Sequence, residues 1–471
     1  MNQLLLIKDI CLMLKDLKFQ IFFLLLLVLF ILSAISSSVV FSDIQEEFQT
    51  DQINHNDRIH DGRTTILINM LSRENILQII SSPSPAILFS NFDSYPDKIS
   101  TDVMFYDPTF LYYGTATTDV FRLNWYLILG IMAGFIMLVL SFEAISYEKR
   151  GGTLKLITVY NIKRQSVLWY KFISYTLLYL FVIIPPALIS MTLFFSLTGT
   201  WSISYMLKYL LILLLSIPFA SFFIWLGIYI SMTKNYRNAI VLVVFLWLLF
   251  VIIIPQSSNI IAKQLSTLKT NVEYNDMGQK AWWDEFNVWI ERHGASAGGN
   301  VSLHDRIRAD ASNAADEKVN QIKQQVIADS YRQTLIKRSI ANISPFVQLE
   351  HIAEIIFNKG FYLLNFQQET AKSSINQIRN LMIAQDANDE TSINLFYSMA
   401  LSDADALSQF GQTPFSTQLF EHPDLLFVTD IQTDDALNKT MKILLRLLPI
   451  ICLNLFLIVG SVIKLEKLDI R

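Results

Sequence analysis

His55, Asp57, His60 and Asp61 fall within one short polar stretch, and imidazole with carboxylate is a donor set able to surround a divalent cation. Their spacing follows no metal signature, so the stretch reads first as a solvated loop. His351 and Glu354 stand three apart on a predicted helix and share a face; without a third and fourth ligand they read as a surface hydrogen bond. The glycine-rich stretch 294–299 lacks a following Lys-Ser/Thr, so it reads as a turn and not as a loop that cradles nucleotide phosphates. No Ser or Cys sits in a recognisable nucleophile elbow or triad. Trp282, Trp283, Phe286 and Trp289 offer flat apolar faces, but their helical spacing favours packing or a membrane-interface belt over ligand binding.

The elements that must position these residues are set by hydrophobicity. Of 471 residues, 52% are hydrophobic and only 17% charged, an apolar excess too large for one water-soluble core. A net charge of −4 and the lack of a Lys/Arg block argue against nucleic acid as a partner. A bilayer core of about 30 Å needs about 20 apolar residues as a helix, and six stretches qualify. The expected fold class is an α-helical polytopic membrane protein. Its divisions are a cytoplasmic amphipathic interfacial helix at 1–18, spans at 19–41, 124–143, 167–197, 204–231, 239–255 and 441–463, a cytoplasmic loop at 144–166, extracytoplasmic regions at 42–123 and 256–440, and a cytoplasmic tail at 464–471. The long first apolar run reads as a retained anchor in preference to a cleaved signal.

Orientation follows from the basic residues. With the N-terminus inside, the inner segments hold fourteen Lys/Arg against six Asp/Glu, which predicts both termini cytoplasmic in a multi-pass cell membrane protein. Both cysteines, Cys11 and Cys452, lie outside the two outer regions, so those regions fold without disulfides. The larger outer region reads as helical, with one long helix through Ile307 to Ile336 and further helices at 346–366 and 370–384. The smaller one mixes short strands and turns with a helix near Ile66 to Ile80. No Asp, Glu or His lies in the middle of a span, which removes support for an ion-coupled carrier. Pro185, Pro186, Pro218 and Pro449 read as packed kinks.

The segment from Phe142 to Lys171 reads FEAISYEKRGGTLKLITVYNIKRQSVLWYK. It turns at Gly151 and Gly152, offers Thr153 as a helix N-cap, and continues as an apolar short helix from Leu154 to Tyr160. Such a helix in a loop facing water is either a docking surface or an interfacial helix lying against headgroups.

Glu148, Lys149, Arg150, Gly151, Gly152, Thr153 and Leu154, with a basic residue at Lys163 or Arg164 and Lys171 beyond, resemble the acidic, basic, Gly-Thr-Leu pattern of permease subunits of type-2 ABC exporters. The six-span layout, the amphipathic leader and the segment Asn342-Ile343-Ser344-Pro345-Phe346 extend the resemblance; the large outer insertion is similar to that of a subgroup with big extracytoplasmic domains. The resemblance implies an ATP-driven exporter. Its partners are a separate ABC ATPase subunit and a second permease copy or homologous permease in the lipid bilayer. ATP and Mg belong to that ATPase, with no cofactor in this chain. Glu148 and Arg150 would anchor the loop, Gly152 would permit its turn, Thr153 would cap the coupling helix, and Leu154, Leu156 and Ile157 would seat in the ATPase. The rivals are a membrane-anchored sensor or scaffold and a membrane hydrolase built in the outer domain.

Overall fold

The computed structural model describes residues 10, 12–60, 66–72, 77–80, 82–90, 98–101, 123–150, 164–233, 236–266, 268–293, 301–395, 413, 415–429, 431 and 433–467. Most of the predicted leader helix and all of 151–163 lie outside these residues. Among those described, six helices are long and apolar enough to cross a bilayer: Leu17–Asp57, Leu127–Lys149, Gln165–Thr198, Ile203–Ser231, Arg237–Leu265 and Ala436–Glu466, here the first to sixth spans. The chain is an α-helical polytopic membrane protein.

Asp16 starts the first span by accepting the Lys18 N–H at 3.1 Å. The helix then runs unbroken for 44 residues, Leu17–His60, far beyond the expected exit near residue 41. The expected solvated loop is therefore helix at His55 and Asp57, because His55 is buried with its ring 4.7 Å from that of Phe427. Pro185 and Pro186 lie within one continuous helix, Arg164–Thr198, as do Pro218 and Pro449 within theirs.

Lipid tails are as apolar as Leu, so close packing and interhelical hydrogen bonds must hold the bundle together. Trp125 donates to Ser190 at 3.0 Å and Tyr179 to Ser216 at 2.8 Å. Asn454 of the sixth span accepts from Ser221 at 2.9 Å and donates to the Pro218 carbonyl at 3.0 Å. The fourth span forms the centre, with Trp225, Tyr209 and Phe222 fully buried.

Two spans contain a feature that leaves no mark in composition. Leu127–Ala133 in the second and Leu249–Ile253 in the fifth are π-helical. The wider turn misaligns backbone carbonyls, which then need other donors. Trp247 of the fifth span donates to the Ile131 carbonyl at 3.3 Å, and Ser344 donates to the Phe250 carbonyl at 2.5 Å.

Beyond the fifth span come four further helices: α1 Asn271–His293, α2 Val301–Ala341, α3 Pro345–Phe357 and α4 Gly360–Ala387. In α1, Glu273 and Thr270 close a capping box, the Glu273 carboxylate accepting the Thr270 N–H at 2.6 Å. The tryptophan cluster lies on α1 against α2: Trp282 stacks on Phe286 at 4.9 Å and donates to Asp316 at 2.7 Å. Where one helix was expected through 346–366, the chain breaks at Asn358, whose left-handed φ of 55° ends α3. Gly360 follows with φ 63°, and a Cβ there would fall 2.9 Å from the Glu354 carboxylate, so glycine is required for both reasons.

The expected helix near Ile66 to Ile80 is shorter, Leu67–Ser72, and Leu77–Ile80 is strand β1. All four strand residues are buried, the pattern of a central strand. β1 pairs antiparallel with β2, Lys98–Thr101, and parallel with β3, Phe427–Val428, in the order β2-β1-β3. The two regions between spans that were expected outside the membrane therefore share one sheet.

Candidate functional site

The expected coupling loop leaves the second span through a seven-residue helix, Ala144–Arg150. Its backbone is held to the fourth span where the Ile145 N–H donates to Ser231 at 3.3 Å. Glu148 points back to the third span and meets Lys171 at 2.8 Å, with side-chain exposures of 15% and 8%. The two residues bracket the loop, so their pair closes its neck. Largely shielded from water, neither charge can be left alone without a penalty of about 1–3 kcal/mol. Lys18 of the first span adds an exposed contact to Glu143 at 3.8 Å, worth about 0–1 kcal/mol. At the same end Gln165 donates to Glu466 at 3.2 Å and Lys464 to the Tyr229 carbonyl at 2.9 Å. One end of the bundle thus joins the start of the first and third spans to the ends of the second, fourth and sixth.

Of the residues assigned from the sequence, Glu148 is placed by these contacts. Arg150 ends the short helix, its side chain outside the described residues; Gly152, Thr153, Leu154, Leu156 and Ile157 lie outside them altogether. Lys171 closes the sequence motif at the start of the third span. Its partnership with Glu148 spans 23 residues, and acid and base at the two ends of one loop are the only advance sign of it.

The opposite end of the bundle holds a second polar assembly. α3 is buried along nearly its whole length against the second, fourth, fifth and sixth spans, because Leu349, Ile352, Ala353 and Phe357 belong to the same core as the spans. Phe346 stacks on Tyr126 at 4.2 Å and covers Gly130, where a Cβ would fall 2.1 Å from its ring. The His351 and Glu354 pair is not at the surface: both residues are buried. Arg338 grips Glu354 with two bonds, 3.0 and 2.5 Å long, the fork geometry that favours arginine. His351 Nδ1 lies 2.7 Å from Asn342 Oδ1, which assigns the proton to Nδ1. Burial, with Arg338 next, holds the imidazole well below its usual range and therefore neutral.

Between α2, α3 and the end of the fifth span lies a cavity of about 300 Å³ lined by Tyr126, Lys337, Arg338, Glu350, His351 and Glu354, among others. Burial and then the Glu354 charge push the Glu350 carboxyl up to about 7, against the lowering effects of the Tyr126 hydrogen bond, Arg338 and Lys337. These groups lock α3 to α2. Among the described residues no three His, Cys, Asp or Glu converge as a metal site; His55 packs tilted against Phe427 and His293 stacks on Trp289.

Residues 4–353 match the family described as ABC-2 family transporter protein, a match that runs from the leader through five spans into α3. No curated protein and no solved structure matches the chain. Six apolar spans and a family match over most of the length converge, and the chain belongs to the ABC-2 family of transporter proteins as a membrane permease subunit.

Proposed function

We propose that this permease is the membrane half of an ATP-driven exporter and that a separate ABC ATPase docks on residues 144–166. ATP and Mg²⁺ are bound by that ATPase, while Leu154, Leu156 and Ile157 supply the apolar face it grips, Thr153 caps their helix, Gly152 turns the chain, and Glu148 and Arg150 anchor it. Both termini and this loop face the cytoplasm of a bacterial cell, and α1–α4 with the three strands lie on the outer side. The basic excess at the loop end of the bundle supports that orientation. Export as the direction rests on the motif resemblance.

The Glu148–Lys171 neck carries the reading. A loop pinned at both ends cannot absorb a push by flexing at its base, so displacement of the docked helix passes into the second and third spans together. Nucleotide binding then biases a two-state dimer of permeases, because the ATPase contacts the two states differently. A second permease copy or a homologous subunit completes that dimer.

The test is co-purification from membranes with the ATPase. Leu154→Asp or Gly152→Trp is expected to release it while the permease still folds and inserts. Retention of the ATPase by both variants overturns the docking site.

A further inference from the structure

Residues of α2 and α4 line a cleft of about 810 Å³, and one of them, Tyr331, stacks on Phe361 at 5.3 Å. Asp434, just before the sixth-span helix, and Lys442, in its second turn, help line this cleft. The Lys442 ammonium forms an ion pair with Asp434 and lies 5.3 Å from the ring centroid of Tyr362 and 5.8 Å from that of Phe366. Tyr362 also donates its hydroxyl to Asp434 at 2.9 Å, fixing the carboxylate beside its own ring. One carboxylate and two aromatic faces around a positive nitrogen are the chemistry by which proteins recognise organic ammonium groups. The present occupant is a side chain of the same protein.

That occupant is suited to being displaced. The Lys442 side chain is 47% exposed, whereas Asp434 is 17% exposed, so the cage wall is shielded and its guest is not. The guest hangs on a flexible four-carbon stem whose ordering costs rotamer entropy. The charge of the cleft narrows the ligand class. Without Lys442, its wall carries three acids, Glu317, Glu369 and Asp434, and three bases, Lys323, Lys372 and Arg379. A balanced wall favours a single ammonium over a polycation, and the volume exceeds what one ammonium needs, leaving room for the remainder of a small molecule.

We propose that Asp434, Tyr362 and Phe366 form a binding site for a small organic ammonium ligand, with Lys442 standing in for the ligand until it arrives. Because Lys442 belongs to the sixth-span helix, its release reports occupancy of the cleft directly to a membrane span. The ligand and the lysine compete, so apparent affinity is reduced by the fraction of molecules in which the cage is already filled.

The experiment is calorimetric titration of the full chain in detergent with choline chloride, with 3,3-dimethylbutan-1-ol as the uncharged isostere. Lys442→Met and Lys442→Gln are expected to bind choline about five- to tenfold more tightly than the unaltered protein, the gain from emptying a cage occupied about 80–90% of the time. Asp434→Asn and Phe366→Leu are expected to weaken binding at least about tenfold, since each removes a charge or a ring face. The proposal is overturned if both Lys442 variants, folded by thermal midpoint, bind no more tightly, if the isostere binds as well as choline, or if no variant binds choline. Binding is read on the permease alone, so the outcome is independent of ATPase docking.

Discussion

The two ends of the bundle each bury an ion pair, and they use it differently. At the loop end, Glu148 and Lys171 bring one acid and one base together across a loop neck. At the α3 end, Arg338 and Glu354 sit in a group that adds Glu350, Lys337 and His351 around a cavity. The first arrangement is a clasp. The second holds a helix among spans and includes a carboxyl whose protonation depends on its surroundings, so its stability responds to pH.

The largest effect is expected at α3. Glu354→Ala strands the Arg338 guanidinium in a buried site and is expected to cost about 3–5 kcal/mol, seen as a collapse of the thermal midpoint in detergent. Replacing both partners, Arg338→Met with Glu354→Leu, is expected to recover most of that loss; a double variant as unstable as the single one would show that neighbouring groups, and not the stranded charge, carry the effect. Lys171→Met tests the clasp. Its partner is the more exposed, so the expected cost is smaller, about 1–3 kcal/mol, while ATPase retention falls sharply. A thermal loss without loss of the ATPase would show that the clasp serves stability alone.

Glu350 sharpens it. Its carboxyl holds its proton up to about 7 in the fold against an ordinary 4.5, so the folded state binds the proton more tightly than the unfolded one. Its stabilising contribution is complete below about pH 4.5 and is lost as pH rises through about 7. The thermal midpoint of the unaltered protein should fall relative to that of Glu350→Gln across this window, leaving the variant higher by roughly 3 °C at pH 8. Parallel pH profiles for the two proteins would refute this. The smallest effect is expected from Ser344→Ala, which leaves the Phe250 carbonyl of the π stretch without its donor and should cost about 1–2 kcal/mol.

Hydropathy made the spans legible because a bilayer imposes an unbroken apolar run of about 20 residues, which the longer but polar helix Val301–Ala341 lacks. The helix Val301–Ala341 was legible from apolar residues every three or four positions. The burial of α3 was not, since Glu350, His351 and Glu354 give it the look of a surface helix, and the arginine that neutralises Glu354 stands 16 residues away. Short strands were expected in the smaller region, but the place of β1 and its pairing with β3 were not legible, because two- and four-residue strands carry little pattern and β1 and β3 come from opposite halves of the chain. The π stretches follow from how carbonyls are shared between spans, which hydrophobic patterning does not encode. For the site, the Gly-Thr-Leu motif lies outside the described residues, and only the fold joined Lys171 to Glu148.

The unbroken first helix has a mechanical consequence. At 1.5 Å per residue its 44 residues measure about 66 Å, roughly twice the lipid thickness, so about half of it stands clear as a mast. Its far portion rests on Phe427 beside the small sheet. A lean of about 10° within the bilayer sweeps the tip through about 6 Å, so slight rocking below becomes a large excursion above.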